Sequence, residues 1–216
     1  MISEAPDFAA LAAFGAQVCV IGGGPVGIVT ALALTRRGRR VLLLESGGRA
    51  AGAAAQALSQ AENLDPATHH APEITVARRL GGASNLWGGR CLPFDPVDFA
   101  ARPWLADLAG GLPAWPIGPE DLAPWLGEAC RMLAAGDPVF AEPLPGVAAD
   151  PAFGFESLER WSNRPRIQEL HGRELAAAPE LLVALGATVT GFADAGGDAG
   201  GRIAAAEVHV LSLIHI

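Results

Sequence analysis

Three glycines and one acid in this chain have the residue types and the spacing of a dinucleotide-binding turn. Gly22, Gly24 and Gly27 form a GxGxxG pattern, and Glu45 follows 23 positions after the first of them. In such a turn the first glycine permits a sharp bend, the second lets a pyrophosphate approach the backbone, and the third lets a helix pack closely on a sheet. The N–H groups at the start of that helix carry a charge of about +0.5 and face the phosphates. The pattern therefore predicts a dinucleotide cofactor.

The acid of this pattern indicates which dinucleotides fit. The Glu45 carboxylate can accept hydrogen bonds from both hydroxyls of an adenosine ribose, a charged interaction worth about 1.5 to 3 kcal/mol. A 2′-phosphate at about 4 Å would instead be repelled by about 4 kcal/mol at an effective dielectric constant of about 20. The sequence therefore disfavours NADP and leaves FAD and NAD open.

A strand, a helix and a second strand must position these residues. The sequence from Val18 onward predicts a strand, the glycine turn, a helix to about Arg37 and, after Gly38, a buried parallel strand that ends at Glu45. Pro25 suits the first helical turn, where its missing N–H costs nothing. The expected fold class is α/β, built on a Rossmann-like parallel sheet.

A second glycine-rich segment lies at Ala77–Cys91, with the sequence ARRLGGASNLWGGRC. Its four glycines, Gly81, Gly82, Gly88 and Gly89, exclude a stable helix or a central strand and predict backbone that lies flat against a ligand. An NAD site needs one glycine turn per nucleotide half, so a second such segment about 55 residues on favours the longer FAD. A surface loop is the alternative.

The remaining segments carry weaker signals. They predict a helix-prone stretch at Ala50–Asn63, a loop at Asp65–Pro72, an amphipathic helix at Pro119–Ala135, a linker at Asp137–Gly154, a helix at Ile167–Ala178, β-structure at Leu181–Leu185 and Ala187–Phe192, a glycine-rich turn at 196–201 and a returning strand at Ile203–Val210. Trp104, Trp115 and Trp125 are expected to be packing residues, with a substrate pocket as the alternative.

The motif GGGPVG with Glu45, followed by RLGGASNLWGG, resembles the FAD-binding half of glucose-methanol-choline type flavin oxidoreductases, and most of all their sugar and gluconate dehydrogenase branch. The resemblance runs from about Gln17 to Val210. Two residues depart from it: Ala83 stands where the family often has serine or glycine, and Trp87 where many alcohol oxidases have asparagine or histidine. These departures weaken any claim to choline specificity.

The resemblance implies a cofactor site, an incomplete FAD-binding domain and an appended β-hairpin. By position, Gly81, Gly82 and Ser84 would contact the phosphates, residues 85–87 would approach the flavin ring, and Val189 would lie at the adenine. The full expected set is Gly22, Gly24, Pro25, Gly27, Glu45, Ser46, Arg79, Gly81, Gly82, Ser84, Asn85, Leu86, Trp87, Gly88 and Val189. No histidine occupies the second segment, so FAD is expected to be non-covalent.

The resemblance also implies an activity for a longer parent protein, the oxidation of a CH–OH group of a sugar, sugar acid or other alcohol by hydride transfer to flavin. The catalytic base of the family lies beyond this chain, so no catalytic residue is assigned and neither His209 nor His215 fills that role. The expected domains are a lead-in over 1–16, an FAD-binding domain over 17–210 with a cofactor-covering excursion over 92–160, and a non-native tail over 211–216 that resembles translated adapter sequence. A flavin monooxygenase, an amine oxidase and a non-catalytic nucleotide-binding module remain alternatives.

Composition excludes several classes of partner. The net charge of −8 disfavours nucleic acid as a partner. All fifteen basic residues are arginine, so this chain has no lysine that could form a Schiff base or bind phosphate in a phosphate-binding loop. The three cysteines, Cys19, Cys91 and Cys130, do not have the spacing of a metal site or of a dithiol pair, and Cys19 is expected in the core. No metal is expected at His69 and His70 either. Reducing, cytoplasmic conditions are expected, and peripheral membrane association stays open.

A long uncharged stretch near the start of the chain raises the question of a membrane helix. Leu11–Thr35 carries no charge for 25 residues, which is long enough to cross a bilayer. Its central glycines and proline argue against such a helix, and the acidic residues Glu4 and Asp7 argue against a signal peptide. No transmembrane span is predicted.

Overall fold

The computed structural model of the protein describes residues 1–4, 6–103, 113–142, 146, 152, 158–194 and 203–210. The chain forms two compact units, Met1–Trp87 with Arg166–Ile216, and Gly88–Pro165. Trp104, the glycine-rich turn at 196–201, the tail at 211–216 and most of the predicted linker at 137–154 lie outside the described residues.

The described elements are short, apart from one helix and two strands. The strands are β1 (Ile2–Ser3), β2 (Val18–Ile21), β3 (Val41–Glu45), β4 (Arg90–Cys91), β5 (Arg160–Trp161), β6 (Leu181–Leu185), β7 (Ala187–Asp194) and β8 (Ile203–Val210). The helices are α1 (Phe8–Ala13), α2 (Pro25–Arg36), α3 (Ala53–Ala57), α4 (Pro72–Thr75), α5 (Pro96–Phe99), α6 (Pro119–Leu122), α7 (Leu126–Met132), α8 (Ile167–Leu170) and α9 (Gly172–Ala177). Two 3₁₀ turns occupy Gly82–Asn85 and Ala123–Trp125.

The first unit is built on a four-stranded parallel sheet in the order β1-β6-β3-β2. Leu43 of β3 lies between Val20 of β2 and Val183 of β6, and both Leu43 and Val183 are fully buried. A strand covered on both faces is expected to be continuously apolar, as Leu181–Leu185 and the start of β3 are. The predicted α/β class with a parallel sheet is confirmed.

Helix α2 follows the glycine turn and packs on the sheet through Ile28, Ala31 and Leu32, which are fully buried. It ends at Arg36, and Gly38 then takes a φ of 73°, the left-handed conformation in which glycine commonly ends a helix. The helix and its stop thus agree with the sequence.

The uncharged stretch Leu11–Thr35 is divided among α1, β2 and α2. None of the described helices has the length and the apolar composition that a membrane span requires.

A β-hairpin follows β6 in the chain and packs against the parallel sheet. Strands β7 and β8 pair antiparallel, Val189 with Val208, and the register shifts between Val189 and Gly191. Both valines pack against a buried cluster that contains Leu44 and Ala184 of the parallel sheet. The appended hairpin is therefore confirmed, whereas β6, which the sequence grouped with it, belongs to the parallel sheet.

The second unit contains α5, α6, α7 and the two-stranded antiparallel pair of β4 and β5. Its described core includes Cys130, Met132 and Ala135. Trp115 lines an open apolar cavity of about 370 Å³ with Phe94 and Phe99. The predicted excursion over 92–160 falls within this unit.

Five local predictions are wrong. Ala50–Asn63 is helical over Ala53–Ala57 alone, because few of its small side chains find anything to pack against. Pro119–Ala135 is broken into α6, a 3₁₀ turn and α7. Ile167–Ala178, predicted as one helix, is divided into α8 and α9 at His171. Trp115 and Trp125, expected to pack, are 64% and 60% exposed. Cys19 is exposed instead of buried, because β2 is at the edge of the described sheet.

The contrast between a central and an edge strand gives a prediction about stability. We expect Leu43→Ala to lower the free energy of unfolding by about 2 to 5 kcal/mol, since it leaves a cavity on a buried face of the central strand β3. Ile21→Ala, on the edge strand with 48% of the side chain exposed, should cost less than about 1 kcal/mol. Urea unfolding followed by circular dichroism measures both, and equal losses would contradict the described sheet order.

Candidate dinucleotide site

The first glycine turn connects β2 to α2. Gly22 has a φ of 98° and its N–H donates to Leu44 O at 2.8 Å. Gly24 is the residue before the helix, and Pro25 occupies its first turn. A Cβ on Gly27 would lie 1.9 Å from Gly22 O and 3.5 Å from Val20 Cγ1, so only glycine lets the helix pack this closely. The turn and packing roles that the sequence predicted for these glycines match this geometry.

The start of α2 is open to a ligand. Among the described residues, the N–H groups of Gly24, Val26 and Gly27 have no hydrogen-bond partner. Val26 is 80% exposed, and the space where Gly24 would carry a Cβ holds only Gly82 Cα, at 3.9 Å. Free donors at the positive end of a twelve-residue helix form a site that suits an anionic group.

The Glu45 carboxylate lies at the carboxyl end of β3 and is only 5% exposed. Its Oε2 accepts a hydrogen bond from Gly23 N at 2.7 Å, and its Oε1 accepts one from Gly47 N, also at 2.7 Å. The acid thus joins the turn after β2 to the turn after β3. Its four lone-pair positions leave acceptor capacity for ribose hydroxyls.

The second glycine segment lies directly against the first turn. Gly81 N donates to Gly23 O at 2.7 Å, and Leu80 N donates to Gly48 O at 2.9 Å. Gly82 has a φ of 50°, and a Cβ on it would lie 2.9 Å from Gly24 Cα. The absence of side chains on Gly24 and Gly82 is what allows the two backbones to meet.

Two of the side chains that follow these glycines, Ser84 and Asn85, turn back onto the segment. The hydroxyl of Ser84, which is buried, donates to Gly81 O at 2.6 Å, and Asn85 Nδ2 donates to Gly82 O at 2.9 Å. Leu86 is 52% exposed, and Trp87 is partly buried. Ser84 and Asn85 therefore hold the segment's own backbone, and a role of theirs in cofactor contact stays a prediction.

Two neighbouring arginines differ in their surroundings. Arg78 is held by Ser59 Oγ at 2.7 Å and Ser46 Oγ at 3.2 Å, and Ser46 lies beside Glu45. Within the described part of the chain, the guanidinium of Arg79 makes no hydrogen bond or ion pair. Arg78 is a structural residue, whereas Arg79 is half-buried and its charge is not balanced by any described residue.

The remaining predicted positions lie at two places. Val189 packs against the buried cluster that contains Leu44. Because Leu44 directly precedes Glu45, this cluster includes the carboxyl end of β3. Gly88 is the first residue of the second unit, where a Cβ on it would lie 3.9 Å from Trp161 Cζ3. The structure brings the other glycines, Glu45 and Ser46 together within the first unit, and their cofactor contacts stay predictions.

Sequence reasoning missed two glycines. Gly23 is buried, and a Cβ on it would lie 3.0 Å from both Glu45 Oε2 and Leu80 Cδ1. Gly47 is also buried, and a Cβ there would lie 2.0 Å from Arg78 O. The run of three glycines at 22–24 was a usable signal for the first, whereas the contact of Gly47 with residue 78 has no signal in the local sequence.

The cysteine thiols and the candidate metal ligands were the other groups that could carry chemistry. Burial raises the pKa of the Cys91 and Cys130 thiols, so both are protonated near neutral pH. Among the described residues, no three His, Cys, Asp or Glu side chains come together as a metal site. What the described site offers is a set of N–H donors without described partners at the start of α2 and, beside them, a buried carboxylate with acceptor capacity left over.

The match to a family model agrees with the described fold of the first unit. Residues 20–74 match the family described as NAD(P)-binding Rossmann-like domain. No curated protein matches the chain. The solved structures that it matches include pyridoxine 4-oxidase from Mesorbium loti, at 17% identity and a TM-score of 0.49, and a formate oxidase of Aspergillus oryzae RIB40 described for its FAD modification, at 14% and 0.42.

The chain spans less than half of these solved structures. The alignment to pyridoxine 4-oxidase covers 91% of this chain and 46% of that enzyme. The alignment to formate oxidase covers 83% of this chain and 40% of that enzyme.

The Glu45 carboxylate gives the prediction for this site. Glu45→Gln replaces one carboxylate oxygen with an NH₂ group, so one of the two buried N–H groups, of Gly23 or Gly47, loses its acceptor. We expect the free energy of unfolding to fall by about 1 to 3 kcal/mol. Glu62→Gln, an exposed position, should change it by less than about 0.5 kcal/mol. Urea denaturation compares the two, and similar effects would argue against the described carboxylate contacts.

Proposed function

We propose that this chain binds FAD non-covalently, as the dinucleotide-binding part of an FAD-dependent oxidoreductase. The observation that carries the proposal is the contact between the two glycine segments, in which Gly81 N donates to Gly23 O and Gly82 meets Gly24. The family match over residues 20–74 supports nucleotide binding in general. The choice of FAD needs the second segment as well.

The diphosphate has backbone on two sides in this proposal. The free N–H groups of Gly24, Val26 and Gly27 would donate to the phosphates from the start of α2. The N–H of Ala83 also has no partner among the described residues, and it belongs to the turn that touches Gly24. One glycine turn is enough for half of NAD, so a second backbone surface at the same place favours the longer FAD.

The adenosine half would lie over the ends of β3 and β7. Glu45 would accept the ribose hydroxyls with its remaining lone pairs, and the backbone near Val189 would lie at the adenine. A 2′-phosphate near the Glu45 carboxylate would meet the same charge at short range, so NADP is disfavoured. Arg79, whose guanidinium has no partner in the described part of the chain, would supply a positive charge to the phosphates.

The proposed activity of the parent protein is the oxidation of a CH–OH group of a sugar, a sugar acid or another alcohol. Bound flavin would supply the hydride acceptor for that reaction. The residues of this chain would bind and orient the cofactor, and the base that takes the hydroxyl proton would come from outside the chain. The proposed location is the cytoplasm, and the electron acceptor is left open.

Two other functions use the same first motif. A flavin monooxygenase or an amine oxidase would keep the glycine turn and Glu45, and a nucleotide-binding module would keep them without catalysis. The segment RLGGASNLWGG, with its WGG, favours the alcohol-oxidising class. Turnover of sugars with a dye acceptor by a longer form that contains a catalytic base, and none by the 216-residue chain, is the expected result.

Titration with FAD tests the proposal directly. We expect the chain to quench flavin fluorescence on binding, ADP to compete, and NADP to compete poorly. Acid precipitation should release the flavin intact, because the binding is non-covalent. A folded chain, as judged by circular dichroism, that leaves flavin fluorescence unchanged would refute FAD binding.

Arg79 provides a variant for the same titration. Arg79→Ala removes a charged contact with the phosphates worth about 1.4 to 2.8 kcal/mol, so the dissociation constant for FAD should rise about tenfold to a hundredfold. Arg39→Ala is the matched control, since it removes an exposed arginine beyond the other end of α2. If the two variants bound FAD with equal affinity, Arg79 would not be part of the cofactor site.

A further inference from the structure

Helix α8 contacts the second glycine segment at two points, although the two are 83 residues apart in the chain. Gln168 Nε2 donates to Asn85 Oδ1 at 2.8 Å, and Ile167 N donates to Ser84 Oγ at 3.3 Å. No cofactor contact is assigned to Gln168 by the sequence motifs. The effect of its hydrogen bond with Asn85 on the second glycine segment is therefore a separate question.

The side chains of Ser84 and Asn85 donate hydrogen bonds to the backbone carbonyl groups of residues 80–82. Ser84 Oγ donates to Gly81 O at 2.6 Å, and Asn85 Nδ2 donates to Leu80 O at 3.2 Å and to Gly82 O at 2.9 Å. Three consecutive carbonyl oxygens are thereby bound to side chains of the protein. A diphosphate is repelled by carbonyl oxygens and attracted by N–H groups, so an anion site requires carbonyls that are turned away from it.

The amide of Asn85 performs this task in one orientation only. Its Nδ2 must face the carbonyls of Leu80 and Gly82, which requires Oδ1 to face Gln168. A rotated amide would place Oδ1 against two carbonyl oxygens. The N–H donated by Gln168 selects the productive orientation, because Oδ1 can accept that hydrogen bond and an NH₂ group cannot.

Gln168 is itself held close to the glycines. Its Oε1 is buried and, among the described residues, has no hydrogen-bond partner. The side of Gly81 that would carry a Cβ faces this atom, and a Cβ there would lie 1.8 Å from Oε1. Gly81 also has a φ of 93°. Gln168 thus fills the space behind Gly81 and fixes which face of the segment remains open.

We propose that Gln168 is a positioning residue of the dinucleotide site, which acts through Asn85 to keep the carbonyls of residues 80–82 away from the diphosphate. The proposal rests on the proposed function and adds to it a residue outside both glycine segments. Gln168 does not touch the cofactor. It sets the electrostatic sign of the surface that the cofactor meets.

The test is Gln168→Glu, which keeps the shape of the side chain and makes donation depend on pH. When the carboxyl group of this variant is ionised it cannot donate to Asn85 Oδ1, so the amide should rotate and FAD affinity should fall about tenfold at about pH 8, relative to the wild-type chain. At about pH 5 a buried carboxyl group is largely protonated and can donate again, so the affinity should return toward that of the wild type. A structural defect alone would not be repaired by acid.

Three further variants make the result specific. Gln60→Glu introduces the same charge at an exposed position of the same unit and should leave FAD affinity unchanged at both pH values. Gln168→Met, which cannot donate at any pH, should weaken FAD binding equally at both. In the Asn85→Ala background, Gln168→Glu should have no additional effect, because Gln168 acts through Asn85.

The outcomes separate this proposal from the one it rests on. Wild-type chain that is folded and binds no FAD would overturn the proposed function, and the positioning role with it. Wild-type binding with an unchanged Gln168→Glu variant, a loss that acid does not reverse, or a full effect in the Asn85→Ala background would overturn the positioning role alone. Circular dichroism and urea unfolding of each variant establish that the loss is not a loss of fold.

Discussion

The backbone of Gly23 is the point on which the described site depends. Its N–H donates to Glu45 Oε2 and its carbonyl accepts from Gly81 N, both at 2.7 Å. One peptide position therefore connects the turn after β2, the acid at the end of β3 and the second glycine segment. A side chain on Gly23 would meet Glu45 and Leu80 at 3.0 Å, so the three segments can meet only around a glycine. The positions of the other site residues follow from this junction.

The sequence predicted the elements that depend on near neighbours and failed where distant segments decide. The strand, turn, helix and strand from Val18 to Glu45 were predictable because Gly38 and the buried run of β3 are local signals. The place of β6 between β1 and β3 was not, since strand order in a parallel sheet is decided by crossover connections. Cys19 was misjudged for the same reason: an apolar strand does not reveal whether it lies at an edge.

In the proposed site, Glu45 would serve both the stability of the fold and the recognition of the ligand. A buried carboxylate needs hydrogen-bond donors, and the backbone N–H groups of Gly23 and Gly47 satisfy it. The same two bonds fix the carboxylate at the end of β3, so its remaining lone pairs have a defined direction before any ligand arrives. Preorganisation of this kind lowers the entropic cost of binding. The acid is therefore predictable from its spacing, whereas its two backbone partners are visible only in the fold.

The two glycine segments meet one electrostatic requirement by different means. The first obtains N–H groups from the geometry of a twelve-residue helix, which orients every peptide in the same direction. The second has no long helix, and the carbonyls of its residues 80–82 are bound individually by Ser84 or Asn85. A helix is specified by its own sequence, so the first segment can be recognised from GxGxxG alone. The second depends on Gln168, 83 residues after Asn85, and no motif of fixed spacing can include a residue that only the fold brings near.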